Sequence, residues 1–253
     1  FLTPIEPVEE FVAQFKDHPA LEGYFITDEP LPEEFPALAT QVQSMQSLDA
    51  DHWCYINLYP NYAVPEENGS YGAYVDGYLN TVPTTILSFD HYPITGETTV
   101  RPEFYENLEI ISQAAREAGK PFWAFALATA HQSYPVPTLA HLRYQVYSNL
   151  AYGAQGIQYY TYWTPFDESY HDGALTKYGE RTDVYYRLQT LNQEVQNLSR
   201  VFLNATVCSV GHTGASIPTG TTAYTNSAPI NSLTTSGSDG AVVSRLTNGD
   251  NDY

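Results

Sequence analysis

The stretch Gly23-Tyr24-Phe25-Ile26-Thr27-Asp28-Glu29-Pro30 decides how the 253-residue sequence is read. A strand-like apolar run ends there on two carboxylates and a proline, and Pro32 with Glu33-Glu34 then opens a helix expected to reach about Leu48. Proline and acidic residues suit a first helical turn, where a missing N–H costs nothing and the helix dipole is positive. Outward from this point the pattern repeats. Residues 4–18 carry Val8, Phe11, Val12 and Phe15 at helical spacing before the first strand, and Trp53-Cys54-Tyr55-Ile56-Asn57-Leu58 reads as the second strand. Helices are predicted near 71–80, 102–118, 138–152 and 183–202, alternating with strands at 85–89, 121–127 and 156–163. Strand runs that are continuously apolar and separated by helices indicate parallel strands covered on both faces, hence an α/β fold.

Composition narrows the function classes. At 43% hydrophobic and 15% charged residues the chain has the apolar content of a globular protein. Its 29 acidic against 10 basic residues, a net charge of -19, argue against a nucleic-acid partner, because phosphate binding is driven by Lys and Arg releasing counterions. No run approaches the roughly 18 apolar residues of a membrane-spanning helix, so no membrane insertion is expected. The 22 Tyr and 3 Trp, against 11 Phe, offer flat apolar faces with a polar handle, as a partly wet binding cleft needs. No Gly-x-Gly-x-x-Gly or Walker pattern occurs and the histidines lack zinc spacing, so neither a cofactor nor a metal is expected. Cys54 and Cys208 are expected to be buried small hydrophobes and not a disulfide, and Trp53 and Trp123 to be core.

In parallel α/β proteins ligands bind beyond the C-terminal ends of the strands. The five strands end, in order, at Asp28 and Glu29; at Asn57 and Tyr59; at Asp90, His91 and Tyr92; at His131; and at Tyr160, Tyr162 and Trp163. Carboxylates, amides, imidazoles and aromatic rings together have the character of a sugar site.

These residues carry a resemblance. Gly23 to Pro30 resembles the fourth strand of clan A TIM-barrel glycoside hydrolases, where an Asn-Glu-Pro or similar tripeptide holds the acid/base glutamate. The style is that of family 42 β-galactosidases and their gut-bacterial relatives. Phe89-Asp90-His91-Tyr92-Pro93 resembles the sixth strand, and Tyr159-Tyr160-Thr161-Tyr162-Trp163 the eighth, whose tryptophan floors the sugar subsite. The resemblance covers roughly residues 20–203. It implies a glycosidase with Glu29 as acid/base and a carbohydrate substrate touched by Asn57, Tyr59, His91, Tyr92, His131, Tyr162 and Trp163.

It also implies a partial (β/α)8 TIM barrel, its fourth to eighth strands lying in residues 1–203, followed at 204–253 by the start of a β-sandwich domain. Five units fill about 200 residues, whereas a bare barrel of eight takes roughly 250. The sequence is therefore expected to be an internal fragment, with a secreted or periplasmic location in keeping with polysaccharide degradation.

One departure stands out. Aligning Lys120 to Ala126 with the seventh strand puts Ala126 where clan A retaining enzymes carry their nucleophilic glutamate. Retention needs two carboxyls about 5–5.5 Å apart and inversion about 6.5–9.5 Å. Asp90 opposite Glu29 is one solution, a residue upstream of Phe1 another. The third is the Asp28-Glu29 pair, used as in family 20 hexosaminidases, where the aspartate steers the substrate's own 2-acetamido group. A degenerate, carbohydrate-binding barrel and a complete five-stranded open α/β binding domain remain as competing classes.

Overall fold

The computed structural model describes residues 2–226, 228, 230–235 and 240–253. It is a mixed α/β fold whose chain divides into two compact units: residues up to Asp90 with Gln113–Trp123, and His91–Ser112 with Ala124–Tyr253. Residues 227, 229 and 236–239 of the predicted β-rich stretch lie outside the described residues.

In the first unit, helix α1 (Val8–Phe15) precedes β1 (Gly23–Asp28), and a 3-10 turn at Pro32–Glu34 leads into α2 (Phe35–Leu48). There the Glu34 carboxylate accepts the Leu31 N–H at 2.7 Å, which satisfies a donor that the turn leaves open. Strand β2 (Trp53–Asn57) runs parallel to β1, pairing Gly23 with Trp53 and Asp28 with Asn57 across a bulge between Phe25 and Thr27. Helix α3 (Tyr71–Thr81) starts at Ser70, whose hydroxyl accepts the Ala73 N–H. It buries Tyr71, Tyr74, Val75 and Tyr78, the last two tyrosines against Phe35. A parallel bridge from Leu58 to Phe89 adds β3 (Leu87–Phe89) beside β2, and Leu87 N–H donates to Pro121 O at the head of β4 (Phe122–Leu127).

The second unit is built on β4 and its neighbour β6 (Gly156–Tyr160). Helix α4 (Phe104–Ala118) begins in this unit, and α5 (Leu139–Ala151) and α6 (Asp183–Asn197) cover β4. Both covering helices carry threonine N-caps, Thr138 and Thr182. Their core contains Ala126, Ala128, Leu142, Val146, Leu188 and Leu191. Two-residue strands β5 (Ala130–His131) and β7 (Tyr170–His171) pair antiparallel and tie the loop after β6 to the loop after β4. After α7 (Ser199–Phe202) comes an antiparallel sheet in the order β10-β9-β8, formed by β8 (Thr206–His212), β9 (Val242–Asn248) and β10 (Asn251–Asp252). His212 anchors that sheet: its Nε2 lies 2.7 Å from the Tyr152 hydroxyl, and its ring meets Tyr105 edge-on at 4.6 Å.

Several expectations need correction. The strand predicted over 156–163 stops at Tyr160, because Tyr162 and Thr164 hydrogen-bond to Leu175 in the following loop. Its residues are half-buried throughout and not covered on both faces. The helix predicted to run to 202 breaks at Leu198. Cys208 is exposed, since it lies on the open side of β8, while Cys54 is buried; both are free thiols. Trp53 and Trp123 are half-buried and meet edge to face at 5.4 Å, because both lie on the strand face opposite the buried Cys54 and Ala124. Among the described residues no helix is long and apolar enough to cross a membrane, and no group of three His, Cys, Asp or Glu is arranged to hold a metal ion.

Candidate active site

The β pleat determines which side chains of the first unit meet. Successive residues of a strand point to opposite faces. Cys54 and Ile56 therefore turn into the core, while Trp53, Tyr55 and Asn57 share the other face of β2; Ser88 and Asp90 alternate in the same way around the buried Phe89. A directed chain of hydrogen bonds follows. The Tyr55 hydroxyl lies 2.8 Å from Ser88 Oγ, which donates to Asn57 Oδ1 at 2.9 Å. With its carbonyl occupied, the Asn57 amide donates to Asp28 Oδ1 at 3.1 Å and to Asp90 Oδ1 at 2.7 Å. The buried amide is thus oriented by its partners and grips two carboxylates at adjacent strand ends.

Glu29 completes this set. Its N–H donates to Asn57 O at 2.8 Å, which extends the β1–β2 ladder by one rung. Its φ of 48° lies in the left-handed region, where a residue with a Cβ rarely sits unless the surroundings hold it. The brace is visible: buried Tyr74 on α3 donates its hydroxyl to Pro30 O at 2.9 Å, and Tyr71 donates to Tyr59 O at 2.9 Å. Helix α3 therefore clamps the loops that follow both β1 and β2.

The electrostatics separate the two carboxyls. Burial, then the charges of Asp90 and Asp28 and a hydrogen bond to Asp90, push the Glu29 carboxyl up to about 7. Asp90 is raised to about 6, chiefly by burial, although the Asn57 amide opposes the shift. Two hydrogen-bonded carboxyls near neutral pH share a proton, and the Asn57 amide on Asp90 favours its location on Glu29. Asp90 is thus a neighbouring carboxyl whose charge and hydrogen bond favour the protonated form of Glu29. Tyr59 lies near the same carboxylates; burial and then the Glu29 charge raise its phenol.

The second unit presents rings. Tyr92 stacks on Tyr160 with centroids 6.0 Å apart and meets Tyr134 edge-on at 6.1 Å. His131 lies flat on Tyr170 at 4.6 Å, and the Tyr160 hydroxyl donates to that of Tyr170 at 3.2 Å. Arg101 Nη2 reaches the Tyr134 hydroxyl at 3.2 Å. Trp163 is 46% exposed and donates its indole N–H to Lys177 O, whereas Tyr162 turns the other way, into a groove of about 460 Å³ against α6. His91 departs from its expected place. It is 1% exposed against Phe104, and burial with the nearby Arg101 pushes its pKa down to about 3, so it packs as a neutral core residue and not as a sugar contact.

Ala126 requires the largest correction. It is fully buried among Leu142, Val146 and Leu188 of the covering helices, so it belongs to the helix-facing side of β4. A nucleophile aligned at that position would point away from any cleft, since shifting register by one residue reverses the face. Sequence reasoning also missed Tyr55, Ser88, Tyr134 and Tyr170. For the first two a signal existed, since polar residues recur at period two in Tyr55-Ile56-Asn57 and Ser88-Phe89-Asp90.

No curated protein matches the chain. Among solved structures it is similar to a candidate α-L-fucosidase from Bacteroides thetaiotaomicron VPI-5482, with a TM-score of 0.48 and 9% identity over 74% of this chain and 59% of that one. It is also similar to xylanase 10B from Thermotoga maritima, with a TM-score of 0.47 and 12% identity over 75% of this chain and 67% of the other. A family 5 mannosidase from Rhizomucor miehei gives 0.42 and 12% identity over 71% and 54%. The chain thus spans about three-fifths of the first of these relatives. The family model described as β-galactosidase, glycoside hydrolase 42, matches residues 35–198, a stretch that begins beyond Asp28 and Glu29 and includes Asn57, Asp90, His131 and Trp163. With well over half of its length in that match, the chain belongs to glycoside hydrolase family 42.

Proposed function

We propose that the full-length protein hydrolyses a glycosidic bond, with Glu29 as general acid/base. The observation that carries this reading is the Glu29–Asp90 pair, in which Glu29, pushed up to about 7, exchanges its proton near neutral pH beside a carboxyl fixed by Asn57. Protonated Glu29 donates to the glycosidic oxygen as the C–O bond breaks. A nucleophile takes the anomeric carbon as that bond breaks, and ionised Glu29 then accepts a proton from the water that displaces the nucleophile. Asp90 sets the proton affinity of Glu29, while Asn57 and Tyr59 offer an amide and a phenol to sugar hydroxyls. In the second unit Tyr92, His131 and Trp163 are proposed carbohydrate contacts, while Tyr162 faces the groove against α6 instead.

The five strand–helix units read as the fourth to eighth of a (β/α)8 barrel within residues 1–203, with 204–253 opening a β-sandwich domain. The parallel β1–β2 pair and the antiparallel β8–β10 sheet support that division.

A second reading keeps Glu29 as acid and uses Asp28 to steer a substrate acetamido group. It is favoured by one observation: with Asp90 engaged by Glu29, Asp28 is the exposed carboxylate of the set, held by Asn57. Turnover of aryl N-acetylhexosaminides in preference to aryl β-galactosides would select it.

The test is Glu29→Gln in the full-length protein. Turnover of nitrophenyl β-galactoside should fall by about 10³-fold, within the usual range for losing a general acid. A dinitrophenyl glycoside, whose leaving group needs no proton, should lose far less. Unchanged turnover of both substrates would remove Glu29 from the chemistry.

A further inference from the structure

We propose that Ser88 is a positioning residue for the acid: its hydroxyl locks the Asn57 amide with the NH2 end toward Asp28 and Asp90, and thereby decides which of Glu29 and Asp90 carries their shared proton. The proposal rests on the glycosidase reading and adds to it a group that acts on the acid from inside the sheet, through Asn57.

An asparagine amide has two ends of nearly equal size, one an acceptor and the other a pair of donors, so its neighbours choose its direction. Asn57 is 3% exposed, and solvent is no substitute for a missing partner there. Its two N–H bonds go to Asp28 Oδ1 at 3.1 Å and Asp90 Oδ1 at 2.7 Å. Carboxyls alone do not fix that direction, since a protonated carboxyl donates to an amide oxygen as readily as an ionised one accepts from the nitrogen. The deciding contact lies on the other side. Ser88 Oγ, fully buried on β3, donates to Asn57 Oδ1 at 2.9 Å. A hydroxyl has one proton, so in the 2.8 Å contact between Ser88 and Tyr55 the phenol is the donor. Every bond from Tyr55 through Ser88 and Asn57 to the carboxyls therefore points the same way. Tyr55 is held in turn by rings, Phe25 at 5.9 Å and Trp123 at 6.4 Å.

At the carboxyl end this direction becomes chemistry. The charges of Asp90 and Asp28 act on Glu29, and the charge of Glu29 acts on the phenols of Tyr59, which also feels Glu34, and of Tyr74 on α3. A donor on Asp90 favours its ionised form and leaves the proton to Glu29. With the amide reversed, its oxygen would face Asp90 and take a proton from it. Glu29 would then be left ionised beside a neutral aspartic acid, unable to protonate a leaving group. Loss of the Ser88 hydroxyl is what permits that reversal.

The test compares the full-length wild type with Ser88→Ala and Ser88→Thr by two readouts. One is the pH profile of kcat/KM for nitrophenyl β-galactoside; the other is the protonation of Glu29 itself, followed as the carboxyl infrared band that Glu29→Gln removes. In Ser88→Ala the alkaline limb and the Glu29 band should both move to lower pH by about one pH unit. Turnover at pH 7 should fall about fivefold and recover as the pH is lowered. Ser88→Thr keeps the hydroxyl and should restore both readouts. Tyr55→Phe removes the donor behind Ser88 and should move both in the same direction by less; it carries the test if Ser88→Ala does not fold. An unmoved Glu29 band in the folded variant overturns the proposal, as does a loss of activity that is equal at every pH. Absence of wild-type turnover would count against the glycosidase reading alone, because the infrared titration stands without it.

Discussion

The two units present opposite kinds of chemistry at their strand ends. The first gathers charge and hydrogen-bond donors: Asp28, Asn57, Glu29 and Asp90, aligned by Tyr55 and Ser88. The second gathers rings, with Tyr92, His131, Tyr134, Tyr160 and Tyr170 in mutual contact. The means of positioning differ as well. In the first unit strands do most of the work, because pleat alternation and parallel pairing aim Asp28, Asn57 and Ser88, while α3 braces the loop that carries Glu29. In the second, loop residues arrive through β5–β7 pairing and ring stacking. Strand-held groups suit proton transfer, which fails with small displacements, whereas stacked rings tolerate them.

This contrast can be broken most sharply at Asp90. Replacing it with Asn removes the nearby charge that helps burial keep Glu29 protonated, so the Glu29 pKa should drop below about 7. We expect kcat/KM to fall about 10²-fold at pH 7 and the alkaline limb of its pH profile to move to lower pH. A limb that stays in place would show that Asp90 does not govern the acid.

The same pair should mark stability. Glu29 is raised from an ordinary 4.5 and Asp90 from 3.8, so the folded state binds protons more tightly than the unfolded chain. Their contribution is fully present below pH about 4 and is lost as pH rises through 6 to 7. Urea unfolding across that window should report declining stability in the wild type and a flatter profile in Glu29→Gln.

Changes in the ring cluster should have milder effects. Tyr170→Ala removes the ring on which His131 lies and should raise KM by about tenfold with little change in kcat, as expected for lost uniform binding. A fall in kcat of equal size would place the rings in the chemistry and erase the distinction between the units.

The smallest kinetic effect is expected from Tyr24→Phe. Tyr24, fully buried, donates to Asp49 Oδ2 at 2.7 Å. Burial disfavours the Asp49 charge, but hydrogen bonds from Tyr24, His52 and the Asp51 backbone overcome this and hold its pKa below the ordinary value. Loss of one donor should cost about 1–2 kcal/mol in unfolding experiments and leave kcat/KM unchanged.

Much of the first unit was legible because its signals are local. A run of strand residues that stops at Asp28-Glu29-Pro30 or Phe89-Asp90 announces a strand end, and the alternation with helices orders those ends. Tyr55 and Ser88 escaped notice because their strands looked uniformly apolar, although period two already separated them from Cys54, Ile56 and Phe89. Ala126 was misread for a related reason: a motif aligned by order alone carries no information on which face a residue occupies. Tyr134 and Tyr170 were beyond reach, since loop residues meet through pairings that no spacing rule encodes. His91 shows the converse, a polar residue beside the site that folding has drawn into the core.

The left-handed backbone of Glu29 has a consequence for how this protein changes over time. Glycine would occupy that φ without the roughly 1–2 kcal/mol that a Cβ costs there, and it would bury no carboxyl beside Asp90. Random drift under selection for folding alone would therefore erase the glutamate and leave a sturdier, silent scaffold. Under the proposed chemistry, position 29 is where a lapse of demand for it would first be recorded.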